Sequence, residues 1–138
     1  MLELADDYLA AEPHLEALLN EVDGIRKVYL SADLAEMKER AQHTPAAHLI
    51  YGGDRMNLNA QGGNLNRVTQ TWIVVLVIKL IEKDKAGVLL AKLIKKLSGV
   101  VSPLGPVNRV DAPAKPMFRG GFGYYPLAFE ITFRTKGA

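Results

Sequence analysis

The sequence predicts an α+β fold with a mixed or antiparallel β-sheet covered by helices, and three stretches carry that prediction. The first is the run from Arg67 to Leu80, rich in β-branched residues and apolar on both sides through its middle. Val68, Gln70, Trp72, Val74, Leu76 and Ile78 alternate with Thr69, Thr71, Ile73, Val75 and Val77. A strand apolar on both faces belongs at the centre of a sheet with cover on each side, supplied by its own helices or by a neighbouring subunit. The second is Gly87 to Leu97, where Leu89, Leu90, Leu93, Ile94 and Leu97 form a wide stripe at helical spacing. The third is the last stretch. Tyr125, Leu127, Phe129, Ile131 and Phe133 line one side, and Glu130, Thr132 and Arg134 line the other, as in a half-covered strand. A crossover through the Gly87–Leu97 helix returns the last strands beside the central one.

The remaining elements follow in order. Asp6 to Val22 reads as a helix, with Leu15, Leu18, Leu19 and Val22 at helical spacing. Pro13 removes a backbone donor, so a break with a second helix starting near it is equally consistent. Asp23-Gly24 ends the helix in a turn. Ile25 to Leu30 reads as a short strand, and Ser31 as the cap of a helix over 32–41. His43-Thr44-Pro45 stops that helix, and Ala46 to Tyr51 is a second short strand. Gly52 to Asn66 has four glycines, four asparagines and no periodicity, and reads as a loop that is either disordered alone or ordered by a partner. Glu82 to Lys85 is a turn. Pro103, Gly105 and Pro106 mark an irregular connection, Val107 to Ala112 a short edge strand, and Gly120 to Gly123 a tight turn.

The chain has 138 residues, 49% of them hydrophobic, and no repeat or linker, which predicts a single domain over 1–138 with a real core. The absence of cysteine excludes disulfides and thiolate metal sites. The acidic start Met1-Leu2-Glu3-Leu4-Ala5-Asp6-Asp7 is unlike a signal peptide, and the apolar core of the Arg67–Leu80 run is shorter than the roughly 20 residues of a membrane span. Folding in the cytosol is the expectation. A net charge of +2 hides an asymmetry: residues 1–23 hold seven acids and no base, whereas from Arg67 onward there are twelve bases and four acids. Such regions could pair subunits electrostatically, or a basic side could face nucleic acid.

Signals of catalysis are missing. His14, His43 and His48 share no metal-ligand spacing, and none of Ser31, Ser98 and Ser102 lies in a nucleophile elbow. Neither glycine pair of the 52–66 stretch is followed by a Walker lysine, and Gly120-Gly121-Phe122-Gly123 leads into a strand instead of a helix N-terminus. Lys92, Lys95, Lys96, Lys115, Arg119, Arg134 and Lys136, with Phe118, Phe122, Tyr124 and Tyr125, would form a nucleic-acid surface only if gathered on one face. Packing explains most of them more simply.

Taken in order, Pro45-Ala46-Ala47 before a strand, the run Val68 to Leu76, the helix Leu89 to Leu97, Asp111-Ala112-Pro113 and the ending Gly123 to Glu130 resemble the tail terminator proteins of long-tailed bacteriophages and related prophages. These are also called tail completion or minor tail proteins. The resemblance spans roughly residues 10–135 and makes the α+β fold tail-terminator-like. It implies a structural protein, not an enzyme, without cofactor or metal. Its place would be the virion tail, after assembly in the bacterial host cytoplasm.

The implied assembly is a hexameric ring that caps the tail tube, stops tube polymerisation and provides the head-joining surface, from a protein that can be monomeric when isolated. The implied partners are the tail tube protein, the sheath protein if the tail is contractile, and head connector or neck proteins, with no membrane and no direct DNA binding. A head–tail connector or neck protein is the alternative, and a nucleic-acid-binding module is a second. Candidate assembly contacts are Arg55, Met56, Asn57, Leu58, Asn64 and Asn66 in the glycine- and asparagine-rich stretch, with Phe118, Arg119 and Phe122 as a second patch. Trp72, Leu93, Ile94, Tyr125 and Phe129 are expected in the core.

Overall fold

A computed structural model describes residues 2–31, 43–57 and 65–137. Strand β3 (Leu65–Lys79) and strand β8 (Phe122–Lys136) are both 15 residues long and pair antiparallel along their whole length, from Leu65↔Lys136 to Lys79↔Phe122. The sheet extends outward from this pair. Strand β2 (Ala46–Asn57) runs antiparallel to β3, and β1 (Lys27–Leu30) lies parallel to β2. On the far side, β6 (Asn108–Val110) and β7 (Met117–Arg119) both pair with β8. The order among the described residues is β1-β2-β3-β8-β6, a mixed sheet with one parallel pair.

Helix α1 (Ala11–Asn20) and helix α2 (Ala86–Leu97) cover one face. Their buried residues Leu15, Leu19, Leu89, Leu93 and Leu97 meet Val68, Trp72, Val74, Leu76 and Ile78 of β3 and Leu127, Phe129, Ile131 and Phe133 of β8. Of the expected core residues, Trp72, Leu93 and Phe129 are buried, while Ile94 and Tyr125 are half-buried at its rim. A short 3-10 stretch, Leu80–Lys85, bridges β3 to α2. Crossover through α2 places β8 beside β3, as the sequence predicts.

The other face of β3 carries a smaller cluster of Tyr29, Ala46, Ile50, Val75, Val77 and Tyr124, with Ile73, Met117 and Phe122 at its edge. The cluster residues are buried at the Lys79 end of β3, whereas toward Leu65 Arg67 is exposed, Thr71 half-buried and Thr69 buried. There the face is polar, with Arg67, Thr69 and Thr71 on β3.

Helix α1 is shorter than the 6–22 span expected from spacing. A turn at Tyr8–Ala10 precedes it, and Pro13 sits in its first turn, where a missing N–H has no intrahelical acceptor to lose. The expected helix over 32–41 lies outside the described residues. Ser31 itself turns inward, its hydroxyl 2.8 Å from the His48 Nδ1. The irregular connection holds a small hairpin of β4 (Val101–Ser102) and β5 (Gly105–Pro106), closed by the Ser102 hydroxyl donating to the Gly105 carbonyl at 2.8 Å. At the start of the chain, the Leu4 N–H donates to the Arg134 carbonyl and the Arg134 N–H to the Leu2 carbonyl, so residues 2–4 seal the end of the β8 edge.

The largest departure concerns Gly52 to Asn66. Its two ends are strand and not loop: β2 continues to Asn57, β3 begins at Leu65, and Asp54–Asn57 pair with Arg67–Gln70 to form an arm, while residues 58–64 lie outside the described residues. A bulge hides this from a reading by alternation. Tyr51 faces Trp72 and Asp54 faces Gln70, so Gly52 and Gly53 together oppose Thr71. Gly53 has φ +92, which favours glycine, and a Cβ on Gly52 would lie 3.1 Å from the Thr71 carbonyl oxygen. The period-two pattern therefore changes phase in the middle of the strand.

Candidate assembly surface

The phase change at the bulge decides where the arm's side chains point. Asp54 and Met56 share the helix side with Gln70 and Val68, while Arg55 faces the opposite side with Thr69. Asp54 is held by the Tyr8 hydroxyl, which donates to its Oδ2. Burial, followed by this hydrogen bond and the Asp54 charge, pushes the Tyr8 phenol far above its usual value. Burial also raises Tyr51, with Asp54 again contributing. Gln70 is fully buried and completes the network: its Nε2 donates to the Tyr8 carbonyl at 2.7 Å, and its Oε1 accepts from the Trp72 indole at 3.2 Å. The segment before α1 is thereby tied to the base of the arm.

On the opposite side, Arg55 donates two bonds to Glu130, from Nη1 to Oε2 at 2.5 Å and from Nη2 to Oε1 at 3.1 Å. This pair spans β3 diagonally, and Glu130 raises the Arg55 pKa through the hydrogen bond first and its charge second. Thr69 and Thr132 meet beside it, their hydroxyls 2.9 Å apart. Arg55 is therefore an internal anchor of the arm as well as an exposed group.

The other candidate contacts separate into distinct places. Met56 is exposed on the helix side of the arm, Asn57 ends β2, and Asn66 is half-buried near the start of β3. Leu58 and Asn64 lie outside the described residues. Phe118 is 56% exposed on β7 and packs edge-on against Tyr125 at 5.8 Å. Arg119 is exposed on the same strand, and Phe122, half-buried, pairs with it at the start of β8. The arm and the Phe118 patch stand at opposite ends of the long strands, so they are two surfaces. Alternation in the sequence missed Asp54 and Glu130, because the register that unites them with Tyr8 and Arg55 depends on the bulge.

The charge asymmetry is partly settled within the chain. Lys96 of α2 donates to Glu21 at 2.8 Å, and Lys92 to the Asp23 carbonyl at 3.1 Å. These lysines lie on the helix side of the sheet, whereas Arg134 and Lys136 alternate onto the opposite side with Glu130. The basic residues do not gather on one face. His48 is buried, stacks on Tyr29 at 4.8 Å and meets Ser31, which is a packing role. Among the described residues no group of three or more His, Asp or Glu converges as a metal site. No helix among them is long and apolar enough to cross a membrane.

Fold and surface together define a small α+β protein whose polar groups clamp an arm in place. The chain belongs to the phage tail terminator family: the family model described as phage tail terminator protein matches residues 4–137. A chain of the solved virion of a native gene transfer agent particle has the same fold, with a TM-score of 0.53 at 13% identity, over 89% of this chain and 84% of that one. No curated protein matches the sequence. Family membership makes this a structural protein of the phage tail and not an enzyme.

Proposed function

We propose that this chain forms a closed hexameric ring on the head-proximal end of the tail tube, stops tube polymerisation, and offers the surface to which the head is joined. The match to the tail terminator family over residues 4–137 carries this reading. A terminator acts by differential binding: one face matches the tube end, and the other rejects a further tube subunit. A ring satisfies the lateral surfaces through rotational symmetry. The clamped arm of β2 and β3, with Arg55, Met56, Asn57 and Asn66, serves as one contact, and the Phe118, Arg119 and Phe122 patch at the opposite end of the sheet as another. Tube protein is the partner on one side, and connector or neck proteins on the other. A sheath protein joins them if the tail is contractile. Assembly takes place in the cytoplasm of the bacterial host, and the whole of 1–138 acts as one domain.

Purified protein mixed with purified tail tubes, imaged by negative-stain electron microscopy, tests this. The expected outcome is a ring at one end of each tube and no further growth on adding tube protein. Bare ends that keep growing would reject the terminator role and favour a connector on the portal side.

A further inference from the structure

We infer that the basic sheet face at the arm end binds the acidic helix face of a second copy of this chain, which specifies how neighbouring subunits meet in the proposed ring. Arg67 on β3 and Arg134 on β8 stand directly opposite each other, both exposed, with Lys136 two residues further along the same face. Like charges directly opposed across a sheet are destabilising. Glu130, the nearest acid on β8, is already engaged by both arms of Arg55. Glu3 pairs with Arg134 only through the backbone, and no ion pair to Arg67, Arg134 or Lys136 forms among the described residues. Among the described residues this cluster is thus uncompensated.

The complementary charge lies on the same molecule but on the wrong side. Asp6 and Asp7 precede α1, and Glu12 and Glu16 follow each other at i and i+4 on it, a second like-charge repulsion. Glu21 and Asp23 meet lysines of α2, whereas Glu12 and Glu16 have no cation within ion-pair distance among the described residues. Because α1 packs on the Val68 and Trp72 side, Glu12 and Glu16 lie on the other side of the sheet from Arg67 and Arg134. Among the described residues, no acid of the same copy pairs with Arg67 or Arg134, and no cation pairs with Glu12 or Glu16. A neighbour pairs both, with its helix face laid on the basic sheet face, and opposite surfaces used head to tail generate a ring where the rotation closes. A nucleic acid is the weaker occupant, since three cations make a small footprint and the α2 lysines lie on the far side.

This contact rests on the ring reading, and charge reversal separates the two. One variant carries Arg67→Glu and Arg134→Glu, the other Glu12→Lys and Glu16→Lys. Each removes a repulsive pair and replaces it with another, so thermal melts of both should match the wild type. Each alone should cap tubes about tenfold less often, as expected for opposed like charges at an interface. Their equimolar mixture should restore caps, because a six-membered ring can alternate the two. Wild-type capping by either variant alone, or no recovery in the mixture, would overturn the contact while leaving the terminator role intact. Wild-type protein that never caps tubes would instead reject the ring. Labelled duplex DNA that binds the wild type but not the Arg67→Glu, Arg134→Glu variant, with caps unaffected, would also overturn it.

Discussion

Gln70 and Tyr8 show how one polar residue inside an apolar strand can be structural. A glutamine between Val68 and Trp72 breaks the expected core pattern, yet both its polar atoms are satisfied, one by a backbone carbonyl and one by the indole N–H. Tyr8 carries a pH signature. Its folded-state pKa lies above the unfolded phenol value, so the folded state holds its proton more tightly. The associated stability is complete below about pH 10 and is lost as pH rises above it. Tyr51 acts in the same direction. Denaturant unfolding at stepped alkaline pH should therefore show a steeper loss for the wild type than for Tyr8→Phe. Equal slopes would mean that Tyr8 ionises as freely in the folded protein as in the unfolded one. None of this network was legible from spacing, because Tyr8 and Asp54 are 46 residues apart.

At the scale of elements, the arm of β2 and β3 is the instructive case. The apolar run from Val68 and the alternation of Ala46 to Tyr51 identify both strands, but alternation stops at Gly52-Gly53. The extra residue of the bulge resets the phase, and beyond it polar residues occupy both faces, which removes the hydrophobic period on which a strand is recognised. Gly53 tests this account. A Cβ there meets nothing within 4 Å, so Gly53→Ala isolates the backbone conformation from packing. It should cost about 1–2 kcal/mol in chemical denaturation, and amide exchange should rise at Asp54–Asn57 before the β3–β8 core. An unchanged midpoint would show that the bulge relaxes to an ordinary conformation. By contrast, α2 was legible almost to the residue, since its stripe is wide and Ser98-Gly99 closes it.

For the whole molecule, the two edges of the sheet matter. The outer edge of β8 is occupied in turn by β7, β6 and residues 2–4. Short segments from distant parts of the chain thus block a long strand that would otherwise invite pairing with another chain. Deleting residues 1–5 should open that edge at Arg134. The expected result is a lower melting temperature and concentration-dependent aggregation in light scattering, with the helical circular dichroism retained. A truncated protein that stays monodisperse at high concentration would show that β6 and β7 suffice. The second sheet face is similarly divided, with an apolar cluster at the Lys79 end and exposed Arg67, Arg134 and Lys136 at the other.

What the sequence determined by itself was the class of fold, the two long strands, α2, and the helix-side core, because burial imprints a hydrophobic period that needs no partner to be read. The ordered set of motifs also pointed to the tail terminator family, to which the chain belongs. Only the tertiary structure decided the course of the arm, the Tyr8–Asp54 and Arg55–Glu130 clamps, and the opposition of Arg67 to Arg134. Each depends on register between strands distant in the chain, and one extra residue at Gly52-Gly53 changes which side chains share a face. Periodicity is a local property of a segment, whereas a charged surface arises only when separate segments are placed side by side.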